Sequence, residues 1–228
     1  KMVKDKIQYK AGNASDYTKY DIDGTDWVSI RVELDLAAKK CNIYVGNTLA
    51  LADQPIALKS ADKTLTGVDC LAFFTDKSTY ADALIDNIGV YKLVTTSSVT
   101  PDAPESDNES KEEVLSVKFD TASDVKDNGI YADGAMLVSD SDAAATQKAR
   151  YEFDVQNEGT ISFEYDYKFE TIVADTDCIS FGVASKSDTG KDASSGDGRV
   201  FQLKMVKDKI QYKAGNASDY TKYDIDGT

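Results

Sequence analysis

The chain has 228 residues, of which 40 are acidic and 26 basic, giving a formal net charge of −14, and 41% are hydrophobic. That apolar share is enough for a packed core, whereas the negative field repels phosphate backbones and anionic lipid, so neither nucleic-acid binding nor membrane insertion is expected. There is no histidine, which excludes Ser-His and Cys-His nucleophile pairs and every histidine-ligated metal site.

Residues 1–25 recur letter for letter at 204–228. This reads as an out-of-frame slice of a tandem repeat. Its parts are a duplicated segment 1–25, the C-terminal part of a module at 26–94, a linker at 95–114, and the N-terminal part of the next module at 115–228. The pieces 26–94 and 115–228 are expected to close one domain.

Along the chain, period-2 alternation dominates. Asp26–Leu36 places Val28, Ile30, Val32 and Leu34 on one face and Ser29, Arg31, Glu33 and Asp35 on the other, the pattern of a half-buried strand. Strands are predicted next at 41–46, 68–75 and 83–94. The stretch 95–114 holds two of the three prolines with many Ser, Thr and acidic residues, a linker composition. A short strand is predicted at 116–120. In 149–155, Tyr151, Phe153 and Val155 oppose Arg150, Glu152 and Asp154. In 160–169, Ile161, Phe163, Tyr165, Tyr167 and Phe169 point inward and Ser162, Glu164, Asp166 and Lys168 outward. Further strands are predicted at 176–185, 199–206 and 208–213. No window carries a 3.6-residue apolar stripe, so the chain is all-β, and the strand count predicts a two-sheet antiparallel β-sandwich. Cys41, Cys70 and Cys178 fall inside apolar strands, where free cysteine packs as a small hydrophobe; a Cys70–Cys178 bridge is the one pairing considered.

Trp27 opening a long strand, Asn42–Gly46 (NIYVG) running into a tight turn, and Ile85–Tyr91 (IDNIGVY) as a final strand together resemble the laminin G-like modules of the concanavalin A-like lectin/glucanase superfamily. The resemblance covers most of 26–94 and, more loosely, 116–206. It implies a jelly roll whose first and last strands are neighbours, so that a circularly permuted slice still closes. It also implies a structural Ca2+ held by Asp86 and by an acidic residue of the first strand, for which Asp120 is the candidate. The glucanases of the superfamily carry three carboxylates on one strand. Glu164, Asp166 and Glu170 miss that spacing, with Lys168 where the third acid should stand, and a solvated strand face is the expected reading.

Sugar recognition on such folds uses exposed rings with polar neighbours. Tyr44 is the outward ring expected on the regular strands, and Trp27 at a strand start is expected in the core. The polar loops 14–25 and 185–198 add Tyr17, Tyr20 and Arg199. The expected function is a non-catalytic extracellular repeat module, glycan-binding or adhesive, on a secreted or bacterial cell-surface protein. The alternatives are a carbohydrate-binding module appended to a polysaccharide-degrading enzyme, a purely structural stalk repeat, or an enzyme in its own right. The partners expected are a glycan and, through the duplicated strand segment, neighbouring repeats or second copies. Of the two duplicates, 204–228 is expected to win the intramolecular place, with 1–25 packed on a neighbouring molecule; the alternative is 1–25 in the native slot with 204–228 displaced.

Overall fold

The computed structural model describes residues 6–9, 18–21, 27–58, 62–75, 81–97, 107–139, 147–172, 178–206, 209–214, 217 and 220–224. In chain order the strands are β1 (Lys6–Tyr9), β2 (Thr18–Asp21), β3 (Val28–Asp35), β4 (Lys40–Val45), β5 (Thr48–Pro55), β6 (Val68–Thr75), β7 (Ala81–Ser97), β8 (Asp107–Val117), β9 (Ile130–Ala132), β10 (Ala135–Ser139), β11 (Lys148–Gln156), β12 (Thr160–Ile172), β13 (Cys178–Ala184), β14 (Arg199–Val206), β15 (Lys209–Ala214) and β16 (Thr221–Asp224). A single helical turn, α1, spans Lys186–Thr189.

The chain is an all-β sandwich. One sheet runs β5-β4-β3-β12-β7-β10-β9, with β8 also pairing β7; the other runs β11-β6-β13-β14-β15-β16. All pairings are antiparallel. Strands from 28–97 and from 107–224 interleave in both sheets: β12 lies between β3 and β7, and β6 lies between β11 and β13.

Alternation decides the core. Val28, Ile30, Val32 and Leu34 of β3 and Ile161, Phe163, Tyr165 and Tyr167 of β12 are buried. They meet the second sheet through an aromatic cluster, in which Tyr165 lies 4.9 Å from Phe73 and 4.7 Å from Phe181, ring centre to ring centre. β6 (VDCLAFFT) and β13 (CISFGVA) are buried along their whole length, because both of their faces are covered. Their inner face meets the first sheet. Their outer face bears Cys70, Ala72, Phe74 and Ala184, which pack with Ala193 from the 185–198 loop. Small side chains let that loop approach: a methyl group added at Gly182 would stand 3.1 Å from the Ala193 carbonyl oxygen.

Several expectations change. Val155 is 48% exposed rather than inward, because β11 is an edge strand whose register with β6 shifts between Glu152 and Gln156. The stretch read as linker carries the ends of two strands: β7 reaches Ser97, and β8 begins at Asp107 and pairs back along it. The short strand predicted at 116–120 stops at Val117. The chain then turns through Phe119, whose φ of 53° is a left-handed value that a bulky residue rarely adopts, and the ring is buried against Tyr151. The three cysteines are free and buried. Burial pushes the thiols up, to about 12 for Cys41 and about 11 for Cys70, so both stay protonated and unreactive at neutral pH.

Of the duplicated segments, 204–228 supplies the end of β14, β15 and β16 and stays in the second sheet, as expected, while 1–25 supplies the separate hairpin β1-β2.

Candidate functional site

The outer face of the larger sheet gathers the polar residues that alternate with the core. Strand register sets them in rows. Tyr44 of β4 stands opposite Arg31 of β3, which stands opposite Glu164 of β12, which stands opposite Gly89 of β7. The next row is Asn42, Glu33, Ser162 and Tyr91. Cross-strand neighbours on one face are close enough to interact directly, and here they do. The Arg31 guanidinium lies 3.7 Å from the centre of the Tyr44 ring and pairs with Glu33, and the Tyr44 hydroxyl donates to Glu33 Oε2 at 2.8 Å. At the other end of the row the Tyr91 ring folds back over Gly89, where any side chain would overlap it. Lys111 of β8 stands 5.1 Å from that ring and pairs with Glu164, which also accepts from the Ser162 hydroxyl at 3.0 Å.

Two exposed apolar groups border these rows. Leu49 of β5, opposite Tyr44, is 44% exposed. Trp27, one residue before β3, is 45% exposed and continues the outward phase of Ser29 and Arg31, so its expected place in the core is corrected. The physical reason is alternation: Val28 takes the inward position, and the ring beside it must face out. Tyr44 is an outward ring as expected. Tyr91 is a second one that sequence reading missed, although Ile88 and Val90 inward leave Tyr91 no other direction.

The same face continues to Asp166, which stands opposite Asp86. Asp166 accepts from the Ser29 hydroxyl at 2.5 Å and from Asn87 Nδ2 at 2.8 Å. Asn87 adopts φ 51° at a register shift between β7 and β12, and its backbone N–H donates to Asp86 Oδ1 at 2.7 Å. The Asp86 carboxyl is held above its ordinary value, first by burial and then, against the pull of the Asn87 N–H, by the negative charges of Asp166 and Asp120. The structure therefore brings Asp86 and Asp120 into one electrostatic neighbourhood, with Asp166 as a third member. Calcium takes six or more oxygens, and among the described residues no group of three or more Asp, Glu or Cys side chains is arranged to hold a metal ion. Glu164 and Asp166 are each engaged by Lys111 and Ser162 or by Ser29 and Asn87, while Lys168 pairs with Glu170.

Arg199 lies elsewhere, on the outer face of the second sheet, with its guanidinium 4.9 Å from the Phe74 ring and bonded to the Gln202 side-chain oxygen. That oxygen also accepts from the Tyr220 hydroxyl at 2.9 Å. Tyr220 is the duplicate of Tyr17, so the structure joins Arg199 to the second copy of that position. Tyr17 itself lies outside the described residues, and Tyr20 falls in β2, whose side chains are not described. The 185–198 loop is pinned: Asp188 accepts from Thr66 and Ser185, and Asp192 accepts from Arg150, Lys148 and Ser194.

No protein-family model matches the chain, and no curated protein matches it significantly. The class is therefore defined by the fold alone, a two-sheet antiparallel β-sandwich with a polar, ring-bearing outer face.

Proposed function

We propose that the chain is a non-catalytic, glycan-binding display module of the concanavalin A-like, laminin G-like type, repeated in tandem in a secreted or bacterial cell-surface protein. The observation that carries this reading is the outer face of the larger sheet. Three outward rings, Trp27, Tyr44 and Tyr91, border a field of Arg31, Glu33, Glu164 and Lys111. Tyr44 and Gly89, over which Tyr91 lies, are three strands apart, or about 14 Å, room for an extended oligosaccharide rather than a buried monosaccharide. The exposed Trp27 ring offers stacking surface, and Arg31, Glu33, Glu164 and Lys111 would exchange part of their pairing with one another, and with the Tyr44 and Tyr91 rings, for hydrogen bonds to hydroxyls. A tandem array would multiply weak single-site affinity into avidity.

The test is a glycan array probed with the 228-residue chain and with Trp27→Ala, Tyr44→Ala and Tyr91→Ala, each with and without calcium. The expected result is selective binding weakened by about ten-fold for each ring removed. Binding abolished by chelator would restore an ion at Asp86 and Asp120; binding indifferent to chelator leaves the ion out. Binding to no glycan would replace this reading with a structural stalk, which the self-paired charges of the face also suit.

A further inference from the structure

The larger sheet carries another row on the same outer face, at the end remote from Glu33 and Tyr91. Ile130 of β9 stands opposite Leu137 of β10, Leu137 opposite Leu84 of β7, and Leu84 opposite Lys168 of β12. Val28 is the partner of Tyr167, so Trp27 stands beside Lys168. Alternation puts all five on the outer face, because Met136, Val138, Ala83, Ile85, Val28 and Tyr167 next to them are buried in the core. Ile130 is 54% and Trp27 45% exposed, with Leu84 and Leu137 half-buried between them. Lys168 is the one charged member, and it pairs with Glu170.

Acids line both sides of this row. On one side Asp86 stands directly opposite Asp166. On the other lie Asp82, opposite Ser139 and Thr171, and Glu170 in the register shift next to it. A contiguous exposed apolar row marks an interaction surface, and tryptophan is a residue type that commonly anchors a protein partner. We propose that this row docks a cationic amphipathic helix of a partner protein. The row runs over four strand steps, about 19 Å, a length that a helix spans in about 13 residues. One helical turn advances about 5.4 Å against about 4.8 Å between strands. Apolar residues recurring every three or four positions therefore meet Ile130, Leu137, Leu84 and Trp27 in turn.

Charge selects the occupant. Lysines and arginines flanking the apolar stripe of the helix reach Asp86 and Asp166 on one side and Asp82 and Glu170 on the other. There they relieve the repulsion between the facing Asp86 and Asp166 carboxylates. A second copy of this chain is a poor occupant, since it brings the same net charge of −14 and sets these acids against their own like. A glycan is a poor one too, because leucine and isoleucine offer no flat ring for a sugar to stack on. The inference goes beyond the glycan reading and does not rest on it: Ile130, Leu137 and Leu84 lie outside the rows that carry that reading, and only Trp27 is shared.

Trp27 is the one tryptophan of the chain, so its emission reports whether the row is covered. The test titrates the chain with a tryptophan-free synthetic peptide of about 14 residues, leucines at helical spacing and lysines elsewhere. A chelator is present so that no calcium competes for the acids. The expected result is a saturable blue shift, with Kd raised about ten-fold by Ile130→Ser and several-fold by Asp86→Asn. Val155→Ser, which removes an exposed apolar side chain from β11 in the other sheet, should leave Kd unchanged. Ile130 and Val155 are both exposed on edge strands, so neither change threatens the fold. No shift, the same Kd for Ile130→Ser as for the parent chain, or equal binding of a peptide with glutamate at every lysine would overturn the proposal. Tighter binding of a strictly alternating Leu/Lys peptide would overturn it in favour of a strand partner. A blue shift on concentrating the chain without peptide would overturn it in favour of a second copy.

Discussion

Arg150 ties three elements together. From β11 its Nε and Nη2 donate to Asp127 at 2.8 Å, and its Nη1 donates to Asp192 at 2.9 Å. Asp127 lies in the turn before β9, and Asp192 lies in the loop that covers β6 and β13. The change to make is Arg150→Met, which keeps the aliphatic stem and removes the charge and the five donors. The Arg150 and Asp192 side chains are 33% and 12% exposed, between the exposed pairs worth under about 1 kcal/mol and the buried ones whose breakage costs about 3–5 kcal/mol. Asp192 keeps Lys148 and Ser194, so a loss of about 2 kcal/mol is expected, or roughly 4–8 °C in Tm for a chain of this size. Acid should erase it. Asp127 is held below the ordinary carboxylate range first by its hydrogen bonds from Arg150. For Asp192 burial pushes upward, but Ser194, Arg150 and Lys148 outweigh it and hold the carboxyl well below that range. Depressed carboxyls contribute stability that is full above the unfolded value of about 4 and is lost as pH falls toward the folded values. Urea unfolding of both proteins at neutral pH and near pH 3 should therefore show a gap that narrows in acid. A neutral-pH loss under about 0.5 kcal/mol, or a gap unchanged by acid, would refute the reasoning.

Two other outcomes follow from the same structure. Asp86 is the opposite case: its raised carboxyl makes ionisation costly in the folded state. Asp86→Asn should raise Tm by about 1–2 °C at neutral pH, and the advantage should vanish as pH falls below the unfolded value, where Asp86 is protonated in both states. Thermal melts with and without calcium check this, and a drop in Tm seen only with calcium would return the ion to the site. In the core, Tyr165 donates to the Met205 sulfur at 3.3 Å, a weak acceptor. Tyr165→Phe should stay within about 0.5 kcal/mol of the parent chain, while Phe181→Ala, at the centre of the aromatic cluster, should cost about 3–5 kcal/mol. Denaturant melts separate the two, and a Tyr165→Phe loss as large as that of Phe181→Ala would contradict the assignment.

The fold class was legible because alternation is a local signal. β3 and β12 carry it without interruption, and β6 and β14 match the predicted spans 68–75 and 199–206. What failed was written in weaker signals. β5 went unseen because it is an edge strand with Leu51 as its one buried residue and two register shifts against β4. The acidic start of β8 reads as coil, since its pairing with β7 comes from the backbone and needs no apolar side chain. For the candidate site, sequence alone placed Arg31, Glu33, Tyr44, Glu164 and Asp166 outward. Only the tertiary structure aligned them into rows, folded Tyr91 over Gly89, exposed Trp27, and separated Arg199 onto the opposite sheet. The physical reason is that alternation tells which way a side chain faces, but strand order and register, set by non-local pairing, decide which outward side chains meet. The duplicated segment shows the same division: identical residues pair in the same register in β1-β2 and β15-β16, and only tertiary pairing with β14 places β15-β16 in the second sheet.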